Sequence, residues 1–517
     1  MKNFFNIYKL SILAIALFVS GSCSNDFLDR PSEDGISLDS YYSSDAQVAA
    51  ATNGMYSRTW FQFGNKFFWA ISEVGSGNMC TFSSDVNAMR NFSLTGTDGE
   101  LANGWQSLWA NVAQANSIIN FLPERVGSGV SQKVLDNTVG EAYFMRATAY
   151  FYLVRLWGPV PIIENNLDYA NTPQINTNNV DDIYKLIISD YKNAIDRVEA
   201  KIRTSNYASN GHISKGSAKA MLAKVYLYQK DYANAKLLAG EVIASNEFKL
   251  YGGDQLPGKT FGDLFLTGNN NNEESVFALQ WKGDGNYGSA NNCNTQFGTS
   301  DTSNASYGGV FGPSQDILSA YSAGDKRKRE TFMVPGDTYA IKSTQGATFT
   351  LPVGENAQGS GAAIKKYCIG KVTESTGPAD TWNMMNNNTY IMRYSEVLLI
   401  YAEAVLAGGA STTDASALSA VNAVRKRAGL TDLTTITFDA IFKERRLELC
   451  FEGDYWYDLG RIDRAKAIAI MSAQNRGSKA NAEYYTPTEA DFLIPYPDVD
   501  VAKNPKLLEP PVPYTFK

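Results

Sequence analysis

Residues 141–163 read EAYFMRATAYFYLVRLWGPVPII. Tyr143, Ala147, Tyr150, Val154 and Trp157 recur at steps of three and four, the spacing of one apolar face of a long helix. Arg155 falls in the last turn, where a cation suits the helix dipole. Gly158 suits the position just past the helix, and Pro159 prevents continuation. Two later stretches, 390–409 and 438–462, share this mixture of Arg, Glu and large apolar residues. All three predict the frame of a helical protein rather than a reaction centre.

The flanking chain carries the same signal. Asp45 is a candidate N-cap for a helix over 45–56. The run 105–122 has helical spacing and stops at Pro123, and 181–198 follows the same rule. The segment 214–245 predicts two helices around a turn at Lys230 and Asp231, with Ser214 as cap. Its small residues Ala223, Ala235 and Ala239 resemble the tetratricopeptide pattern, in which paired helices approach closely. The stretch 390–429 repeats the idea.

Between these units the pattern breaks. Residues 75–104 and 252–312 are rich in Gly, Asn, Ser and Asp, with one strand-like run at 275–281. Residues 320–381 show no period, and the proline-rich tail 505–516 reads as extended. Long aperiodic segments in a compact protein are usually binding loops or linkers. Residues 60–69 are densely aromatic, with Trp60 and Trp69 poised between core and rim.

Composition narrows the function. The chain has 517 residues, 44% hydrophobic and 12% aromatic, and a net charge of −7. That charge argues against a nucleic-acid partner, because phosphate binding needs clustered Lys and Arg. The single histidine, His212, leaves little for triads or histidine metal sites. No metal or other cofactor is expected. Lys326 to Arg329 reads as solvated surface.

The N-terminus has its own logic. Lys2 and Lys9 precede an apolar run over 10–19, too short to span a bilayer, and Ser20, Gly21 and Ser22 lead to Cys23. This pattern resembles a bacterial lipoprotein signal over 1–22, cleaved before Cys23, which would carry the lipid. An ordinary secretory signal with an incidental cysteine is the other reading. Residues 23–44 then form a lipidated, polar tether. Cys80, Cys293, Cys368 and Cys450 form no C-x-x-C pair, and the sequence does not choose a disulfide among them.

Several stretches together resemble the SusD/RagB family of nutrient-binding outer-membrane lipoproteins. They are CSNDFLD at 23–29, RATAYFYLVRLWGPVP at 146–161, GSAKAMLAKVYL at 216–227 and RYSEVLLIYAEA at 393–404. VNAVRKRAGL at 421–430, ERRLELCFEGDYWYDLGR at 444–461 and the closing LIPYP and NPKL complete the series. The resemblance implies a mostly α-helical body over 45–517. Tetratricopeptide-like helix pairs form the scaffold, mainly at 105–246 and 389–462. A loop-rich ligand lobe with a few short strands occupies mainly 60–104 and 252–388. It implies a surface-exposed, lipid-anchored protein of the outer membrane that captures oligosaccharides or polysaccharides without chemistry. A SusC-like TonB-dependent transporter is the implied partner.

Sugars offer flat C–H faces and a rim of hydroxyls, so a binder needs aromatic platforms with polar side chains nearby. Helical aromatics are discounted as core, and aromatics in Gly/Asn-rich loops are favoured. The candidates are Asn78, Phe82, Asp85 and Arg90 in the first loop, then Trp281, Tyr287, Asn291, Asn292 and Tyr307 in the second. Trp382, beside Asn386 to Asn388, is a third position. The acidic cluster Glu444, Glu448, Glu452 and Asp458 raises glycoside hydrolysis as an alternative, but Arg445 and Arg461 at helical steps favour ion pairs. An adaptor that binds peptide or another non-sugar nutrient is the third reading.

Overall fold

The computed structural model describes residues 41–283, 288–298, 309–339, 348–353, 358–368 and 385–516. The signal, the tether and Cys23 lie outside the described residues, as do Tyr287, Tyr307 and Trp382.

The fold is mostly helical. Helix α1 (Asp45–Ala50) is short, and the chain continues through 3₁₀ turns rather than one helix to residue 56. Its cap is Ser44, which forms a capping box with Gln47. Asp45 instead accepts hydrogen bonds from the amide (2.7 Å) and hydroxyl (2.9 Å) of Ser131. The aromatic run 60–69 winds into π-helical turns, and Trp60 and Trp69 are both fully buried.

Helix α2 (Gly99–Phe121) starts earlier than its apolar spacing predicts, because Asp98 caps it through the Leu101 amide. Gly104 sits in its interior for a packing reason. A Cβ there would lie 2.2 Å from the Phe67 ring. Helix α3 (Gln132–Trp157) contains the stretch quoted at the outset and begins nine residues before it, capped by Ser131. It ends as the sequence predicts. Gly158 takes φ +73°, and its N–H reaches the Val154 carbonyl.

Helix α3 is buried along nearly its whole length, between α2 and α4 (Val180–Arg197). Arg146 clamps the three helices together. It forms a bidentate pair with Asp190 on α4 at 2.7 and 2.8 Å, and donates to Asn116 on α2 at 2.8 Å. Helices α5 (Lys215–Tyr228) and α6 (Tyr232–Ser245) form the predicted pair, capped by Ser214 and Asp231. Ala223, Ala235 and Ala239 are all buried at the contact. Three short helices follow, α7 (Cys293–Phe297), α8 (Gln315–Ala320) and α9 (Arg327–Thr331).

A second helix pair comprises α10 (Tyr394–Leu406), which packs on α6, and α11 (Ala415–Arg427). Tyr390 itself belongs to the strand Thr389–Arg393, which pairs antiparallel with Ser275–Leu279. The stretch 438–462 is two helices, α12 (Phe438–Glu448) and α13 (Tyr455–Arg461). Left-handed Phe451 and Gly453 turn the chain between them. Helix α14 (Arg464–Ser472) follows, and the four-residue α15 (Asp498–Val501) closes the series among the described residues. Strands among the described residues occur in pairs of two to five residues. The four described cysteines are buried free thiols, and no described helix is long and apolar enough to cross a membrane.

A buried charge network ties the second half together. Arg393 donates to Glu452 (2.6 Å), Glu274 (2.5 Å) and Glu448 (2.8 Å), all inaccessible or nearly so. Arg427 pairs with the same Glu274 and Glu448. Arg327 belongs to this network rather than to the surface. Its guanidinium is fully buried against Asp325 (2.8 Å), Glu444 (2.6 Å) and Glu448 (3.1 Å). Burial pushes the Glu448 carboxyl up, but Arg427, Arg393 and Arg327 outweigh it and hold the group well below the ordinary range. Arg445 similarly joins Glu396 (2.9 Å) to Asp458 (2.8 Å).

Candidate functional site

The loop after residue 75 is held down at both ends. Met79 and Cys80 pair antiparallel with Gly312 and Pro313, and Thr81 donates to the Val310 carbonyl at 2.7 Å. Phe82 then emerges. Its amide donates to the Gln358 side chain at 2.7 Å, while 44% of the residue remains exposed. Asp85 turns the loop by accepting from Ser83 (2.6 Å) and pairing with Lys66.

Arg90 supports the Phe82 ring, with its guanidinium 4.7 Å from the ring centre. Asn87 (2.8 Å), the Arg476 carbonyl (3.2 Å) and Glu483 (2.5 Å) hold that guanidinium in place. The Tyr485 ring lies 5.4 Å away, and its hydroxyl donates to the same Glu483 oxygen. Hydrogen bonds from Tyr485 and Arg90 hold the Glu483 carboxyl below its usual range. Tyr484, next in line, is 62% exposed. The chain thus presents one open aromatic ring, Phe82, beside a fixed guanidinium, a carboxylate and an amide, with Tyr484 exposed one residue from Glu483. Such a set can stack on a sugar ring and bond its hydroxyls.

A polar patch adjoins this face through Lys66 and Val310. Asn292 (3.0 Å) and Gln296 (2.6 Å) both donate to Asn65, the neighbour of Lys66. The Gln296 backbone carbonyl receives the Val310 amide at 2.6 Å. The side-chain oxygens of Asn292 and Gln296 are buried and unpartnered among the described residues.

Phe82, Asp85, Arg90 and Asn292 therefore come together on or beside one face. Three other predicted contacts turn inward. Asn78 is fully buried, donating to Glu73 (2.9 Å) and accepting from Arg446 (2.9 Å). Asn291 is buried and spans the Asn387 carbonyl (2.8 Å) and the Cys293 amide (2.7 Å). Trp281 is 8% exposed, its indole N–H donating to Thr389 at 3.0 Å. In each case the pairing of nearby strands pulls the side chain into the core. Glu483, Tyr484, Tyr485 and Gln358 were not among the sequence candidates. Two adjacent tyrosines in the aperiodic, Gly- and Asn-containing run 475–485 were the available signal.

A relative from Bacteroides ovatus, described as a SusD-like protein, is 32% identical over 98% of each chain. The chain belongs to the SusD family. The SusD family model matches residues 273–512, and a second model, "Starch-binding associating with outer membrane", matches 26–227. A solved structure holding a xylogluco-oligosaccharide shares 28% identity at a TM-score of 0.80, covering 91% of this chain and 99% of that one. A laminarin-binding SusD-like protein shares 25% identity at a TM-score of 0.70, covering 90% and 98%.

Proposed function

We propose that this SusD-family chain is a non-catalytic glycan-binding lipoprotein, anchored at Cys23 to the outer membrane and exposed at the cell surface. It captures oligosaccharides and passes them to a partner TonB-dependent transporter. The observation that carries the reading is a cluster in which exposed Phe82 and half-buried Tyr485 flank the buried Arg90 guanidinium, with exposed Tyr484 next in the chain. Its residue types and exposure suit a sugar face better than a packed interior. The xylogluco-oligosaccharide and laminarin of the similar proteins give the substrate class its support. Tyr287, Tyr307 and Trp382 belong to the same proposed contact set.

The acidic cluster gives the hydrolase reading no foothold. Glu444, Glu448, Glu452 and Asp458 are buried and held by guanidinium or ammonium groups, where glycoside cleavage needs two carboxyls open to sugar and water.

Native affinity gels containing xyloglucan or laminarin test the proposal. The protein should be retarded by at least one soluble β-glucan, and the double variant Phe82→Ala with Tyr484→Ala should migrate freely. Equal retardation of both proteins would place the glycan elsewhere. Shortened oligosaccharides after incubation would overturn the non-catalytic reading.

A further inference from the structure

A cavity of about 170 Å³ opens between the end of α3, helix α13 and the turn Glu489–Phe492. It is lined by scaffold residues and shares none with the Phe82 cluster. Three arginines reach it. Arg461 is fully engaged, by both oxygens of Glu403 and by Asp458 at 2.8 Å.

Arg155 and Arg464 are different. Among the described residues, Arg155 makes one hydrogen bond, from Nε to the Phe151 carbonyl at 2.8 Å. Its guanidinium lies 3.7 Å from the Phe151 ring centre and 4.0 Å from that of Tyr457. Its Nη1 is buried without a partner. Arg464 stacks 3.6 Å from the Phe492 ring centre, and its Nη1 is also buried and unpartnered among the described residues. Neither forms an ion pair among the described residues. Tyr228 and Tyr457 line the same cavity, and their hydroxyls are buried and unpartnered among the described residues. Tyr457 is only 2% exposed.

Unpartnered buried donors are costly, and four of them around one cavity call for an acceptor. An ionised carboxylate has two oxygens with about four lone-pair sites in all and is acceptor-only. The two Nη1 groups carry two protons each, so with the two tyrosine hydroxyls the cavity offers up to six donors and two positive charges, enough to saturate a carboxylate. Trp456 and Phe492, stacked at 5.9 Å and 22°, supply an apolar wall for the rest of the molecule. The volume is below the usual range for drug-sized ligands, about 300–1,000 Å³. We propose that this cavity is a second binding site, for a small organic carboxylate of about one sugar ring in size.

Calorimetric titration of the purified protein with D-glucuronate tests this, with D-glucose and inorganic phosphate as controls. Glucuronate should bind saturably, glucose should give no heat, and inorganic phosphate, which leaves the Trp456–Phe492 wall uncovered, should bind at least about tenfold more weakly. Tyr457→Phe keeps the ring under Arg155 and removes one hydroxyl, so it should weaken glucuronate binding by about tenfold. Arg155→Gln should remove binding, with a circular dichroism melt confirming that each variant is folded. Absence of saturable heat with glucuronate, equal binding of phosphate, or unchanged affinity in folded Tyr457→Phe would overturn the proposal. Phe82→Ala should leave glucuronate binding intact, so failure here and failure of the glycan-binding face read separately.

Discussion

Two regions of this molecule use the same side chains for opposite ends. Around Arg393, guanidinium groups and carboxylates are inaccessible to water, and every oxygen of Glu274 and Glu448 meets an arginine. Around Arg90, one guanidinium meets one carboxylate, the rings of Phe82 and Tyr485 flank it, and Phe82 and the chain neighbour Tyr484 face water. The first arrangement saturates its charges and fixes one packing of the strand Thr389–Arg393 against α11 and α12. The second leaves apolar ring area and polar edges in reach of a ligand. Residue type does not separate scaffold from site here; the number of partners and the remaining exposure do.

The comparison breaks most visibly if Arg393 is replaced. Arg393→Met keeps apolar bulk but leaves Glu274, Glu448 and Glu452 short of their shared counter-charge. Removing one member of a buried pair costs about 3–5 kcal/mol, and this residue serves three carboxylates. Urea unfolding should show a loss of at least that size, or no soluble protein. A loss below about 1 kcal/mol would mean that the network is not what holds these elements.

Trp281→Ala comes next. An aromatic in a Gly- and Asn-rich loop reads as a platform, yet this indole is buried, bonded to Thr389 and edge-on to Phe61 at 6.2 Å. Truncation should cost about 3 kcal/mol in unfolding free energy, as for other buried tryptophans. Full stability with lost glycan retention would return Trp281 to the binding face. Phe82→Ala marks the other side of the line. With 44% of the residue exposed, stability should change by no more than about 0.5–1 kcal/mol while β-glucan retention falls.

What the sequence made legible follows from periodicity. The cap Ser214, the turn at Lys230 and Asp231, the stop at Gly158 and the small contact residues of α5 and α6 all rest on local rules that tertiary structure does not override. Loop residues obey no such rule. Asn78 lies four residues from Phe82, Asn291 is next to Asn292 and Trp281 precedes it by eleven, yet their direction depends on strands that pair across more than a hundred positions. Arg327 shows the same effect. Four consecutive basic residues at 326–329 read as surface, but Asp325, Glu444 and Glu448 converge on one of them from distant elements. The partners Glu483 and Tyr485 are nearly four hundred residues from Arg90, beyond the reach of any local signal.

His212 offers the smallest effect and the finest test of where scaffold ends and surface begins. Its Nδ1 lies 2.8 Å from Glu141, a buried carboxylate that also receives Thr52 (2.7 Å), Tyr56 (3.0 Å) and Asn137 (2.9 Å). The imidazole itself is 45% exposed. The hydrogen bond to Glu141 raises the pKa of His212 above its ordinary 6.5, and burial opposes that only in part. A histidine whose pKa is raised on folding binds its proton more tightly in the native state. Its contribution is therefore complete below about pH 6.5 and fades as pH climbs through the raised value. The wild-type protein should lose a small increment of thermal stability across that window, and His212→Gln should flatten this part of the profile. Solvent screening at the exposed ring keeps the increment modest. An unchanged slope in the variant would show that the Glu141 cluster is closed without His212, and that the boundary of the buried network runs inside it.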